Sequence, residues 1–203
     1  MKNEGGAAQK ALILFVVPLV LYLCLLPVLP LMEPDEGRYA LIPQAMNATG
    51  DYVTPHLKGV VYLEKPPLAY WATALAFKVF GEGEGSARLF PALCAWGCLL
   101  LVYAMGAHFH DRKTGLYGAA VFTTMALPFA LGRINILDMP LAFFITLSVW
   151  FGFLAFREPG RVRKVMLYLL YVAAALAFLT KGLVGVVFPF AILVLWLLCR
   201  RRS

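Results

Sequence analysis

The sequence predicts an all-α membrane protein with about six transmembrane helices, and three observations support that fold class. Of its 203 residues, 62% are hydrophobic and only 14% are charged, whereas a soluble domain is roughly 45–50% apolar and about 25% charged. Six stretches without Asp, Glu, Lys or Arg approach the roughly 20 residues that cross a bilayer. Cation-rich and cation-poor connections also alternate along the chain, as in multi-pass membrane proteins.

The predicted spans form a single membrane domain over residues 1–203. They lie at about 11–32, 89–109, 114–132, 139–156, 165–180 and 182–199. The first span is longer than the 7–15-residue apolar core of a signal peptide and is not followed by a small-residue cleavage site. We therefore interpret it as an uncleaved anchor.

The lysines and arginines orient the predicted bundle. If the N-terminus is cytoplasmic, most of the 18 cations fall in connections that are also cytoplasmic, as the positive-inside rule requires. The C-terminus is then cytoplasmic as well. The basic isoelectric point of about 9.4 therefore reflects membrane topology, and we expect no nucleic-acid partner.

A long outer loop at residues 33–88 contains most of the polar chemistry. Its first part, 34–48, predicts a helix that begins with Asp35 and Glu36 at the positive end of the helix dipole. The stretch 66–77 is uncharged but too short to cross a bilayer, and it predicts an amphipathic helix on the membrane surface. The segment between these helices is predicted to be irregular. We therefore expect a structured loop rather than a linker.

Five short motifs occur in order along this topology. They are EPDEGRYA at 33–40, GDYVTP at 50–55, YLEKPPL at 62–68, LDMP at 137–140 and LTKG at 179–182. Together they resemble the GT-C integral membrane glycosyltransferases of the aminoarabinose-transferase and protein-mannosyltransferase group. Each motif alone is weak, but five in order on a matching topology are specific, and they extend over nearly the whole chain.

The resemblance implies an enzyme that moves a sugar from a polyprenyl-phosphate donor to a lipid or protein acceptor at the periplasmic side of the cell inner membrane. Lipid A modification and protein glycosylation are both compatible with it. Such a reaction needs cations for the departing phosphate, a carboxylate for the acceptor and a site at headgroup depth. The glycine-rich segment 81–86 lacks the Lys-Ser/Thr of a P-loop, so the sequence gives no nucleotide site.

The resemblance also implies roles for acidic residues. Asp35 would be the main catalytic carboxylate, Glu36 a supporting one, and Asp138 a second acidic group near the site. A divalent cation would suit the oxygens of Asp35, Glu64 and Asp138, but the sequence does not demand one and we assign no metal site. The structural alternative is that Asp35 and Glu36 only favour the helix dipole and that Asp138 is a helix cap.

Basic residues would bind the carrier phosphate. The resemblance implies this role for Arg38 and Lys65, with Glu64 positioning Lys65. Arg133 and Lys181, at outer helix ends, are further candidates for the same phosphate. The alternative for Lys65 and Lys181 is that their side chains only extend to the membrane interface.

The chain has about half as many spans as full-length members of the group, or fewer. We therefore expect the N-terminal part of a split or truncated transferase, or a small relative that pairs with a second subunit. A non-catalytic membrane subunit that binds lipid phosphate or a partner transferase is the main alternative. A small transporter is the weakest hypothesis, because no Asp, Glu, Lys or Arg lies in the middle of a predicted span.

Overall fold

A computed structural model describes residues 4–24 and 26–200, which form nine α-helices and one short antiparallel hairpin. The helices are α1 (Glu4–Leu23), α2 (Asp35–Thr49), α3 (Leu68–Phe80), α4 (Glu84–Phe109), α5 (Arg112–Thr124), α6 (Ala126–Leu131), α7 (Asp138–Arg157), α8 (Gly160–Lys181) and α9 (Val184–Arg200). Strands β1 (His56–Leu57) and β2 (Val60–Val61) form the hairpin, with His56 opposite Val61. The all-α fold class is thus confirmed.

Three helices of the described residues are long and apolar enough to cross a membrane, namely α4, α7 and α8. The apolar parts of α1 (Ile13–Leu23) and α9 (Val184–Cys199) are shorter. Together with α5 and α6, these helices lie at the positions of the six predicted spans. The number of spans therefore stays a prediction, although the predicted positions are helical.

The first predicted span, 11–32, is not one continuous helix. Helix α1 ends at Leu23, and the chain continues through turns before α2 begins. Pro27 and Pro30 lie in this stretch, and a proline both lacks the amide hydrogen and clashes with the preceding turn of a helix. Hydropathy alone therefore extended the predicted helix too far.

The third predicted span, 114–132, is also interrupted. Met125 adopts an extended conformation between α5 and α6, with φ −72° and ψ 127°. Pro128 explains the break, because its ring would clash with the carbonyl group of Thr124 in a continuous helix. The segment is uncharged, as predicted, but it forms two helices.

The 33–88 loop folds onto one end of the bundle, here called the loop end, where α7 begins and α8 ends. Helix α2 packs on α3, with the rings of Tyr39 and Tyr70 6.0 Å apart. Ile42 of α2 and Leu137, which precedes α7, belong to the same buried apolar cluster. The loop is therefore anchored to the membrane helices through its own hydrophobic core.

Candidate functional site

Two charged side chains lie on the first turn of α2. Asp35 and Arg38 are three residues apart and therefore share one helix face, and their side chains form an ion pair of 2.5 Å. The helix ends at Gly50, which has the left-handed conformation (φ 76°) and donates its amide hydrogen to the carbonyl of Met46. The Asp35 side chain is 59% exposed, so one of the predicted catalytic carboxylates faces solvent.

Tyr62 links this helix to the segment that follows the hairpin. Its hydroxyl accepts a hydrogen bond from Nη1 of Arg38 at 3.0 Å and donates one to Oε2 of Glu64. Glu64 in turn lies 2.9 Å from Nζ of Lys65 and 3.7 Å from Arg38. The hydrogen bond from Tyr62 and the neighbouring Lys65 hold the pKa of Glu64 below its usual range. Asp35 is thus connected to Lys65 through a continuous polar network.

Two further predicted site residues at the loop end, Asp138 and Lys181, form a second ion pair. Asp138 begins α7 and Lys181 ends α8, and because these helices are antiparallel neighbours their ends meet, with Nζ of Lys181 2.5 Å from Oδ1 of Asp138. Glu64, Lys65 and Lys181 all line a single hollow of about 430 Å³. The predicted phosphate-binding lysines therefore converge on one cavity, with a carboxylate beside each.

Glu36 occupies a different environment from its neighbour Asp35. It is 1% exposed and forms a two-pronged ion pair with Arg88, which is 3% exposed. Both carboxylate oxygens of Glu36 lie 2.8 Å from nitrogens of Arg88. Although burial by itself raises the pKa of Glu36, the hydrogen bonds from Arg88 and two backbone amides lower it overall. Its position favours a structural over a catalytic role.

Arg133 is not joined to the 430 Å³ hollow. Its guanidinium donates to the carbonyl of Leu21 at 2.6 Å and lies over the ring of Phe129. It lines a separate hollow of about 280 Å³ together with Arg88. Arg133 therefore lies near a helix end, as predicted, but it lines a different hollow from Lys65 and Lys181.

The acidic residues do not form an oxygen cluster for a metal ion. Within residues 4–24 and 26–200, no group of three His, Cys, Asp or Glu side chains is placed to hold one. Asp35, Glu64 and Asp138 are therefore not arranged as the shared ligand set that the sequence allowed for.

Sequence reasoning missed the roles of two residues, Tyr62 and Arg88. Tyr62 lies inside the motif YLEKPPL, but it was not predicted to join Arg38 to Glu64. Arg88 was noted only as the residue before the predicted span 89–109. A buried acid requires a cationic partner, but the burial of Glu36 is visible only in the structure. Their partners are distant in sequence, so only the folded chain shows the contacts.

Comparison with known proteins supports the motif resemblance. The family described as dolichyl-phosphate-mannose-protein mannosyltransferase matches residues 64–203, more than half of the chain. The chain belongs to this family. The resemblance inferred from the five motifs is thereby confirmed.

Curated relatives of this mannosyltransferase-family chain include aminoarabinose transferases. The undecaprenyl phosphate-alpha-4-amino-4-deoxy-L-arabinose arabinosyl transferase 2 of Sodalis glossinidius is 32% identical over 89% of this chain and 33% of the relative. The corresponding transferase of Aeromonas salmonicida is 32% identical over 91% of this chain and 34% of the relative. The chain therefore spans about a third of the length of these relatives.

A solved structure shows the same fold for this family member. The crystal structure of ArnT from Cupriavidus metallidurans bound to undecaprenyl phosphate matches with a TM-score of 0.88 and 31% sequence identity. The match covers 96% of this chain and 36% of ArnT. The arrangement of helices and loop described above is therefore that of part of a larger membrane protein.

Proposed function

We propose that the chain is the N-terminal, site-bearing part of a membrane glycosyltransferase that takes a sugar from a polyprenyl-phosphate donor. One observation carries this proposal. Lys65 and Lys181, from motifs more than a hundred residues apart, line the same hollow at the loop end. The relatives' names add undecaprenyl phosphate as the carrier and 4-amino-4-deoxy-L-arabinose as the sugar class.

The lining of the hollow suits an amphipathic donor. Its two lysines offer charged hydrogen bonds to a phosphate, while Val53, Leu63 and the Pro66–Pro67 pair supply apolar surface beside them. A polyprenyl phosphate combines these two chemistries in one molecule. We therefore assign the carrier phosphate to this hollow, with Arg38 at the edge of the same network.

The carboxylates supply the acceptor chemistry in this proposal. Asp35 is exposed and oriented by Arg38, so it can take the proton of an acceptor hydroxyl as the new bond to the sugar forms. At the same time the bond between the sugar and the phosphate breaks, and the lysines stabilise the charge on the departing phosphate. Asp138 serves as the second acidic group through its contact with Lys181.

Charge balance argues that the remaining part of a full-length relative contributes to the site. Both lysines of the hollow and the nearby Arg38 are already matched by an acid, in the pairs Lys65–Glu64, Lys181–Asp138 and Arg38–Asp35. A bound phosphate would therefore add negative charge to a neutral group. We propose that further spans, in the same polypeptide or in a second subunit, supply the missing positive charge.

The two lysines of the hollow also support a second candidate function. If no partner supplies those spans, the chain would bind lipid phosphate without turnover, as a membrane subunit. We place both functions in the cell inner membrane, with both termini cytoplasmic and the 33–88 loop periplasmic. The acceptor, whether lipid A or protein, lies on that side.

Binding of undecaprenyl phosphate to the purified chain, reconstituted in detergent with the remaining spans of a relative, tests the proposal. We expect Lys65→Ala to weaken binding at least tenfold, since a charged hydrogen bond contributes about 1.5–3 kcal/mol. Lys78→Ala is the matched control, because this exposed loop lysine lies over Tyr52 and away from the hollow. Equal affinities for the two variants would contradict the site assignment.

Transfer of the sugar separates the two candidate functions. The chain is reconstituted with the remaining spans of a relative as a separate polypeptide, and Asp35→Asn is compared with wild type. The enzyme proposal predicts unchanged lipid binding and loss of transfer in this variant. Binding without transfer in the wild type would favour the non-catalytic subunit.

A further inference from the structure

The buried ion pair of Glu36 and Arg88 has no part in the proposed reaction, but it forms an unusually complete set of hydrogen bonds. Arg88 donates two hydrogen bonds to Glu36 and three to backbone carbonyls, those of Leu26, Leu29 and Pro30, at 2.7–3.0 Å. A guanidinium has five N–H groups, so every donor of Arg88 is used. The side chain thus holds the non-helical segment that follows α1.

Glu36 is equally saturated. Besides Arg88, its oxygens accept the backbone amide hydrogens of Met32 at 2.9 Å and Asn135 at 2.7 Å. Each oxygen therefore accepts two hydrogen bonds. Four parts of the chain meet on this pair: the segment after α1, the start of α2, the start of α4 and the segment before α7.

We propose that this pair, the Glu36–Arg88 clamp, is a positioning device that fixes the first turn of α2 relative to the start of α7. Glu36 directly follows Asp35, and Asn135 lies three residues before Asp138. The clamp therefore sets the separation between two exposed carboxylates, that of Asp35, which pairs with Arg38, and that of Asp138, which pairs with Lys181. The catalytic meaning of that separation rests on the proposed function, whereas the clamp itself does not.

Replacing both charged residues can separate a role of the ion pair in positioning the backbone from a role in stabilising the fold. Replacing a buried ion pair with apolar side chains of similar volume is often neutral or stabilising, because the desolvation of both charges is avoided. Such a replacement of Glu36 and Arg88 would still remove the ties to Met32, Asn135 and the three carbonyls. The clamp variant, Glu36→Leu/Arg88→Met, is therefore expected to fold while losing the fixed geometry.

Distance measurement between spin labels tests the clamp. Labels are attached at Ala48→Cys on α2 and Ala142→Cys on α7, both exposed positions, in the full chain with its exposed native cysteines changed to serine. We expect a narrow distance distribution with the native pair. The clamp variant is expected to give a distribution at least twice as wide, or a shifted mean. An unchanged distribution would overturn the proposal.

Two controls separate positioning from general destabilisation. Leu99→Ala removes a fully buried side chain of α4 without touching the pair, and it should lower thermal stability while leaving the distribution narrow. Broadening in this variant as large as in the clamp variant would also overturn the proposal. If the clamp variant fails to fold, Arg88→Lys is measured instead, since it keeps the charge but lacks the five-donor geometry. A narrow, unshifted distribution in Arg88→Lys would count against the clamp.

Undecaprenyl phosphate binding, measured on the same samples, keeps the two proposals apart. If the native chain does not bind the lipid even when it is reconstituted with the remaining spans of a relative, the proposed function fails, and the label distances still decide whether the clamp exists. If the native chain binds, the clamp variant is expected to bind at least fivefold more weakly than the Leu99→Ala variant. Equal affinities would show that the clamp does not position the site.

Discussion

Two neighbouring acids on α2, Asp35 and Glu36, allow a test of how burial determines the contribution of a charged side chain to stability. Asp35→Asn and Glu36→Gln make the same chemical change, from carboxylate to amide, one residue apart. Asp35 is 59% exposed with one cationic partner, whereas Glu36 is 1% exposed and accepts four hydrogen bonds. The two substitutions should therefore differ strongly in their effect on stability.

The magnitude follows from the contacts of each residue. Glu36→Gln leaves the buried guanidinium of Arg88 without a counter-charge, and breaking a buried pair in this way costs about 3–5 kcal/mol. In a chain of this length, 1 kcal/mol corresponds to roughly 2–4 °C in melting temperature, so the loss should be about 6–20 °C. Asp35→Asn breaks only an exposed pair, which contributes little measurable stability, and should shift the melting temperature by less than about 3 °C.

Thermal unfolding of the purified chain in one detergent, with identical lipid content, measures both values. The double variant Glu36→Leu/Arg88→Met completes the comparison, because it removes both buried charges but leaves two backbone amides and three carbonyls without their side-chain partners. Similar melting temperatures for Asp35→Asn and Glu36→Gln would refute the reasoning.

Three further predictions concern pH, capping and topology. The folded pKa of Glu36 is lowered, so its stabilising contribution is complete above the ordinary Glu value of about 4.3 and is lost as pH falls through the folded value. The melting temperature of the native chain should accordingly fall more steeply below about pH 5 than that of Glu36→Leu/Arg88→Met. Asp111 caps α5 by accepting the amide hydrogen of Thr114 at 2.7 Å, so Asp111→Ala should lower the melting temperature by about 2–4 °C, and Asp111→Ser should restore most of it. For topology, Val53→Cys in the exposed loop should react with an impermeant thiol reagent added to intact cells, and reaction only after permeabilisation would reverse the proposed orientation.

Local signals predicted the helices of the outer loop well. A proline favours the start of a helix and a glycine favours its end, because of the backbone conformations that these two residues adopt. Pro34 and Gly50 accordingly flank α2, which runs from Asp35 to Thr49. The break after Leu23 was not predicted, because apolar composition outweighed the prolines in the span assignment. Apolar composition reports burial in lipid, but it does not report whether the backbone stays helical.

The meeting of Asp138 and Lys181 at one end of the bundle could be predicted from the order of the spans. Asp138 directly precedes one predicted span and Lys181 follows the end of the next, so both had to lie at the same end of an antiparallel bundle. Hydropathy and charge give this depth along the bundle axis. They give no angular position around it, which is why Arg133 lies at a helix end as expected and yet faces another hollow.

The helical period of α2 explains why its two adjacent acids have different environments. The buried positions of this helix include Glu36, Tyr39, Ala40 and Pro43, spaced as one face of a helix, and Asp35 lies about 100° away from that face. A carboxylate at the first position of a buried stripe cannot remain unpaired, so it requires a cation from elsewhere, and Arg88 supplies it. The same two-residue segment therefore presents one acid to solvent and uses the other to hold that acid in place, which ties the geometry of the exposed site to an interaction that never contacts a ligand.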